Sequence, residues 1–408
     1  MTTMTKDRAS AANLNQAEDF AAAARAWIAA NFPPELAGQS PVQYQTDEQI
    51  AAAGEPYARW KRAMADSGLG VPTWPAAYGG AGLDARQARI FNQELARANA
   101  FNPIGGMGVM MFGPTLLEYG DEIQKRTHIP PIVRGELRWC QGFSEPGAGS
   151  DLASLKTRCE DKGDHWLING SKIWTSGANL ADWCFCLVRT DTSKKQEGIS
   201  FILIDMKTPG VQVKPIKLIS GNSPFCETFF TDVKVPKDNL VGTINGGWKI
   251  AKRLLQHERS SLSSGGSGGR ARGAGGSLPD MAKRYVGVDA DGRLADLDLR
   301  TRLARHQTRQ RALALTQQRV AIESRGGGPN TTTSIIKNVY SSLAQERAEL
   351  SIEFMGSQGL GTSAGEFSAH ELGVIAEWLS GKAYTIYGGS QEIQNNIISK
   401  HILNLPDR

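Results

Sequence analysis

At 408 residues the chain is longer than one hydrophobic core usually serves, which predicts two or three domains. Its 46 Lys and Arg against 41 Asp and Glu leave a net charge of +5, with the signs interspersed and no basic patch interleaved with aromatics. That distribution argues against a nucleic-acid-binding protein. The five cysteines, at 140, 159, 184, 186 and 226, form no CxxC pair and have no histidine at ligand spacing. They read as reduced thiols, and no metal site is expected. The start, Met1 to Gln16, lacks a hydrophobic signal core, and no apolar run approaches the ~20 residues of a membrane span. A cytoplasmic protein without a membrane span is therefore expected.

Apolar residues at helical spacing predict a helix over 13–32, stopped by Pro33-Pro34, and a second over about 47–67, ending at Gly68. The turn-rich run Pro72-Thr73-Trp74-Pro75-Ala76-Ala77-Tyr78-Gly79-Gly80-Ala81-Gly82 follows, then a helix from Asp84 to Asn99. Gly113 to Arg134 reads as further helix with a break at Pro130-Pro131. The period then changes. His165-Trp166-Leu167-Ile168, the dipeptide Asn169-Gly170 and Lys172-Ile173-Trp174 predict a β-hairpin turning at Asn169-Gly170. Trp183, Phe185 and Leu187 alternate with Cys184, Cys186 and Val188, as in a strand buried on both faces, and strands are expected at 199–206, 211–218 and 227–235. Helix returns from Trp248. Two features interrupt it: the Ser/Gly-rich stretch 260–277, readable as a linker or as a small-residue helix beside a bulky ligand, and Tyr387-Gly388-Gly389-Ser390. The expected domains are an N-terminal helical domain over 1–138, a middle domain of short antiparallel strands over 139–243 and a C-terminal helical bundle over 244–408.

Gln141-Gly142-Phe143-Ser144-Glu145-Pro146-Gly147-Ala148-Gly149-Ser150-Asp151 combines Pro, Gly, hydroxyls and carboxylates, a composition that suits a loop aiming N–H groups at a phosphate or a flat polar cofactor. A decorative surface turn has similar composition. About twenty residues on, Trp174-Thr175-Ser176-Gly177 ends a strand with an aromatic and two hydroxyls, suited to stacking on a planar ring. Together these resemble the flavin-binding signature of the acyl-CoA dehydrogenase family, whose usual Thr/Ser-Glu-Pro-Gly-Ala-Gly-Ser-Asp is matched from Ser144 to Asp151 and whose Trp-Ile-Thr-Asn is matched in part at Trp174. The run Trp74-Pro75 to Gly82 before a helix also resembles that family.

The resemblance implies an α+β fold of an N-terminal helical domain, a middle β domain and a C-terminal four-helix bundle. It implies FAD as cofactor, with Gln141, Phe143, Ser144, Gly149 and Ser150 lining the flavin and the pantetheine entrance. Trp174, Thr175 and Ser176 would flank the ring, and Glu353, Gly356 and Ser357 would meet the adenosine half from another subunit. Ser390 and Glu392 are further implied cofactor contacts, and Ser150, Arg259, Gly388 and Gly389 implied substrate contacts. The family's Arg-Lys-x-Phe-Gly stretch has no clear counterpart; Arg300 and Arg302 are the candidates, and a solvated helix face is the alternative.

The implied reaction is α,β-dehydrogenation of an acyl-CoA, with electrons passed to an electron-transfer flavoprotein in a homo- or heterotetramer. The family's commonest base is a Glu in Tyr-Glu-Gly-Thr, where this sequence has Tyr387-Gly388-Gly389-Ser390. Glu258 is the candidate substitute: Trp248, Ala251, Leu255, Glu258 and Leu262 share one helical seam, and Glu258 precedes Arg259 as the base does in some family members. Spacing alone favours a structural ion pair with a helix neighbour in the bundle, and the resemblance reverses that preference. Two other readings stand beside this one: a partner subunit whose companion carries the base, and a flavin oxidase or monooxygenase. The small residues Ser261, Ser263, Ser264, Gly265 and Gly266 suggest room for a bulky acyl group.

Overall fold

The computed structural model of the chain describes residues 19–39, 46–263, 276–323 and 332–406. Helix α1, Phe20–Asn31, starts where the Asp19 carboxylate accepts from the Ala22 N–H, and buries Phe20, Ala24 and Ile28. Positions 13–18 of the expected first helix lie outside the described residues. The single helix expected over 47–67 is two, α2 (Asp47–Ala52) and α3 (Gly54–Asp66), parted where Gly54 takes a φ of 76°. On α3 the buried Trp60 donates from Nε1 to the Phe101 carbonyl at 2.8 Å. Helix α4, Ala85–Arg97, opens on a reciprocal capping box between Asp84 and Gln87.

Helix α5 (Gly113–Tyr119) and helix α6 (Glu122–Val133) complete this layer. Contrary to the expected break, α6 runs through Pro130 and Pro131. The two prolines sit in its last turn, and burial of Ile129, Ile132 and Val133 holds that turn against the lost N–H groups. His128, also on α6, is buried among aromatic rings, 4.8 Å from the Trp183 ring, 5.2 Å from Trp139 and 6.4 Å from Phe112.

The middle of the chain forms one seven-stranded sheet: β1 (Trp139–Gly142), β2 (Arg158–Asp161), β3 (His165–Ser176), β4 (Trp183–Arg189), β5 (Ile199–Asp205), β6 (Val211–Ile216) and β7 (Phe225–Pro236). The sheet is mixed rather than purely antiparallel: β4 pairs β1 and β2 in parallel and β5 antiparallel, while β3 pairs β2 and β7 antiparallel. Nor are all strands short, since β3 and β7 each span 12 residues.

As the alternation predicted, β4 is buried on both faces. Phe185 and Leu187, with Phe201 and Leu203 of β5, join the core of the N-terminal helices, where Phe112, Phe185 and Phe201 stack at 5.5 and 6.1 Å. Cys184, Cys186 and Val188 face a second core with Trp166, Ile168, Phe230 and Val233. Burial pushes the Cys159 thiol up to about 12, so it stays protonated and unreactive.

Asn169-Gly170 is not a hairpin turn. β3 continues through it, with a register shift against β7 and Gly170 at φ 151°. A Cβ at 170 would lie 2.7 Å from the Thr157 Cα, so the site is a bulge that only glycine fits. Asn169 is committed across the strands instead, donating from Nδ2 to Asp232 and accepting from the Asp232 N–H. The turn between β2 and β3 falls at Gly163, φ 89°.

Helix α7, Gly247–Ser263, starts against β5. A Cβ on Gly247 would sit 2.5 Å from the Ser200 carbonyl carbon and 2.7 Å from the Phe201 nitrogen. Both are backbone atoms of the fully buried β5 segment 199–204, so the helix would have to move. Gly247→Val is therefore expected to cost about 1–3 kcal/mol by overpacking, read as a lower urea midpoint at unchanged slope.

The described residues fall into two compact units, one reaching to Glu258 without 217–223, the other holding 217–223 and the chain from Arg259 on. In the second unit, α8 (Leu278–Tyr285), α9 (Leu297–Glu323), α10 (Thr333–Met355), α11 (Ala369–Gly381) and α12 (Gln391–His401) follow in order. Leu278, Met281, Leu303, Leu350, Phe354 and Val374 make its core.

Candidate functional site

The Ser144–Asp151 loop leaves β1 and is held from beneath. Glu145 and Ala148 exchange backbone hydrogen bonds at 3.0 Å, leaving Pro146 and Gly147 exposed at the tip. The Glu145 side chain turns inward instead of decorating the surface. It accepts from the Lys156 N–H at 2.6 Å, the Thr157 N–H at 2.8 Å and Lys172 Nζ at 2.8 Å. Burial pushes its pKa up, but the Lys172 charge and these hydrogen bonds outweigh that and hold it below the ordinary carboxylate value. Lys172 is 0 % exposed and also donates to the Phe143 carbonyl at 3.2 Å. The far side of the loop hangs on Arg189, whose buried guanidinium donates to the carbonyls of Ala153, Leu155 and Lys194.

Glu145, Lys172 and Arg189 were absent from the sequence-derived site. For Lys172 a signal existed: it shares the inward parity of Trp166 and Ile168 on β3, and a cation on an apolar face needs an anion.

Not every expected contact is offered to a ligand. Gln141 is a half-buried β1 residue paired with Phe185, and Ser144 is partly exposed, its carbonyl accepting from the Ile173 N–H. The Phe143 side chain is buried edge-on to Phe185 and Phe201, so it belongs to the core and not to a ligand surface. Gly149 and Ser150 are exposed, and among the described residues their N–H groups have no hydrogen-bond partner.

At the end of β3 the chain kinks. Trp174 has φ 60°, within a register shift between Lys172 and Thr175, and its indole is 53 % exposed, edge-on to Phe225 at 6.1 Å. A positive φ on a bulky residue is strained, and such strain concentrates at functional positions. Ser176 is partly exposed beyond it. Thr175 departs from expectation: its side chain is fully buried and its hydroxyl has no partner among the described residues. Strand alternation turns it away from the face that Trp174 presents, so of the two hydroxyls only Ser176 is open to a ring.

Helix α7 carries position 258, but the side chains of 258–263 lie outside the described residues, as do residues 264–275. Glu258, Arg259, Ser261, Ser263 and the glycines 265 and 266 are thus placed by sequence alone. The turns before them bury Ile250, Ala251 and Leu254. Arg253 forms a bidentate pair with Glu118, and His257 Nε2 lies 3.1 Å from the same carboxylate but off the hydrogen-bonding direction.

In the second unit, Glu353, Gly356 and Ser357 are exposed at the end of α10, where Gly356 takes φ 54°. Glu353 pairs with Arg302, at 2.6 Å to one guanidinium nitrogen, so Arg302 is committed to a carboxylate and Arg300 lies 3.9 Å from Asp289. The helix break at Tyr387–Ser390 is as expected: Gly388 and Gly389 have φ 65° and 90°, and Ser390 caps α12 by accepting from the Ile393 N–H. Hydrogen bonds from its own backbone N–H and from Ser390 hold the Glu392 carboxyl below its ordinary value. Buried Lys337 ties this segment down, donating to the carbonyls of Tyr384 and Gly389.

An exposed indole, a neighbouring partly exposed serine and a rigid loop with unsatisfied N–H groups fit a flat, polar ring system such as a flavin. The family models agree. Those described as acyl-CoA dehydrogenase N-terminal, middle and C-terminal domains match residues 15–136, 140–233 and 245–403. The acyl-CoA dehydrogenase IpdE1 of Mycobacterium tuberculosis is 36 % identical over 402 residues, covering 96 % of this chain and 99 % of that protein. IpdE1 of Mycolicibacterium smegmatis is 34 % identical over 406 residues, covering 96 % of this chain and 98 % of the relative. Among solved structures, the Tcur3481-Tcur3483 steroid ACAD superposes with a TM-score of 0.74 at 28 % identity, over 97 % of this chain and 98 % of that one. The ChsE4-ChsE5 complex of Mycobacterium tuberculosis gives 0.71 at 29 %, over 96 % and 98 %. The chain belongs to the acyl-CoA dehydrogenase family, whose members are oxidoreductases acting on the CH–CH group of an acyl-CoA and are generally FAD flavoproteins. No helix among the described residues is long and apolar enough to cross a membrane.

Proposed function

We propose that the chain binds FAD and oxidises an acyl-CoA thioester to the trans-2-enoyl-CoA, its electrons leaving to an electron-transfer flavoprotein. The observation that carries this reading is the Ser144–Asp151 loop, fixed from below by Glu145 and Lys172 and tied through the Ile173 N–H to the residue before the exposed Trp174. Bound there, FAD supplies the acceptor for the hydride that leaves Cβ. The loop amides at Gly149 and Ser150 donate to the ligand, Trp174 offers its ring face, and Ser176 offers a hydroxyl at the end of β3. Position 388 is a glycine, which has no side chain to take the Cα proton, so Glu258 is assigned as the base. Purified protein should be yellow and release FAD on denaturation, identified by chromatography. Stoichiometric FMN, or no flavin after reconstitution, contradicts the reading.

A second reading is favoured by that same glycine together with two neighbours, the Tcur3481-Tcur3483 steroid ACAD and the ChsE4-ChsE5 complex, each named for two chains. The chain would then be one subunit of a heteromer whose companion carries the base. Copurification with a homologous chain, and flavin uptake only in its presence, would favour it. The first of those neighbours is a steroid ACAD, which directs attention to bulky, ring-derived acyl groups, in line with the small residues after Glu258.

A further inference from the structure

We infer that the buried Glu145–Lys172 pair is a positioning clamp that locks the two halves of the flavin site, the Ser144–Asp151 loop and the Trp174 corner, into one register; the inference rests on the FAD reading above. Glu145 is nearly buried and Lys172 is 0 % exposed. The Glu145 carboxylate bridges the loop from end to end, because it stands at the loop's start and accepts from the N–H groups of Lys156 and Thr157 after its close. Lys172 then ties that closed ring to β3, through Glu145 Oε1 at 2.8 Å and the Phe143 carbonyl at 3.2 Å.

The next residue repeats the tie with its backbone, as Ile173 donates to the Ser144 carbonyl at 2.9 Å. The residue after that is Trp174, at φ 60° inside the register shift. Three successive residues of β3 therefore hold the loop twice and then present the indole. A strained tryptophan and an exposed glycine loop both need an external constraint to keep one geometry, and a largely desolvated, hydrogen-bonded ion pair supplies one. Such a pair adds little net stability over an apolar replacement, yet removing one partner leaves a buried charge unpaired. Its value lies in fixing geometry, which makes both groups positioning residues.

The test uses Glu145→Gln and Lys172→Met in the full chain, with two readouts. Trypsin cleavage after the exposed Lys156 in the flavin-free protein reports the clamp without reference to any cofactor. FAD affinity and the flavin absorption spectrum report its consequence for the site. Both variants should keep the wild-type far-UV circular dichroism, be cut after Lys156 at least about tenfold faster, and bind FAD about tenfold more weakly with a spectrum closer to free flavin. The swapped pair Glu145→Lys/Lys172→Glu restores opposite charges but puts no acceptor at 145, so it should not recover either readout. Cleavage, affinity and spectrum all unchanged in Glu145→Gln, or full recovery in the swap, would overturn the clamp. If Lys172→Met does not fold, Glu145→Gln, which keeps a neutral acceptor, decides. If the wild-type protein takes up no FAD, the cofactor reading fails while the cleavage comparison still decides the clamp.

Discussion

Glu258→Gln should leave the protein folded with FAD bound, yet slow flavin reduction by an acyl-CoA by about 10²-fold or more, the usual scale for losing a general base. The change is nearly isosteric and Gln is as good a helix former as Glu, so α7 should persist. Two facts motivate it. Position 388, where the family commonly has a carboxylate, is glycine at φ 65°, a conformation and a residue without proton-accepting chemistry. Along α7 the buried positions Ala251 and Leu254 continue by helical spacing to 258. Stopped-flow flavin absorbance checks the outcome, and a wild-type rate in the variant would assign the base to another residue or another chain.

The second large effect is acid lability from His128. Burial lowers its pKa from 6.5 to about 4. In the folded chain the imidazole stays neutral among Phe112, Trp139 and Trp183, with Nδ1 lacking a partner among the described residues. In the unfolded chain it takes up a proton near 6.5. Between those values the unfolded state binds more protons, so stability falls as pH drops from about 6.5 to about 4 and levels off below. The full loss is about 3 kcal/mol, at 1.36 kcal/mol per pKa unit. Carboxylates held low, such as Glu145 and Glu118, lose their contribution as pH falls from their ordinary 4.5 through their lowered folded values, so the fall between pH 6.5 and 4.5 is where His128 acts apart from them. His128→Phe keeps an aromatic ring in the cage and should flatten the urea-midpoint profile between pH 6.5 and 4. A profile as steep as wild type would contradict the assignment.

The element order and most helix and strand positions were legible, because hydrophobic period and Pro/Gly punctuation are local signals. What was not legible depended on neighbours distant in sequence. Asn169-Gly170 has hairpin chemistry, but the Thr157 backbone beside it makes it a bulge. The parallel pairing of β1 with β4 joins segments more than forty residues apart, as the pair Trp139 with Trp183 shows, and no local pattern announces it. Pro130-Pro131 reads as a stop, yet packing of the residues around it carries α6 three positions beyond the first proline. At the site, the motif identified the loop and Trp174 but not which side chains face out. Phe143 and Thr175 point inward because of strand parity and the kink at Trp174, while Glu145 and Lys172 anchor the loop through a pairing between residues distant in sequence.

The central claim is that this chain oxidises an acyl-CoA on its own flavin. The most direct measurement is an anaerobic titration of the purified yellow protein with a panel of acyl-CoAs, from short straight chains to branched and ring-derived groups, following flavin absorbance. At least one acyl-CoA, expected among the bulky members, should bleach the oxidised flavin without oxygen and yield the matching enoyl-CoA. Flavin that stays oxidised with every acyl-CoA, both alone and with a homologous partner chain, would contradict it.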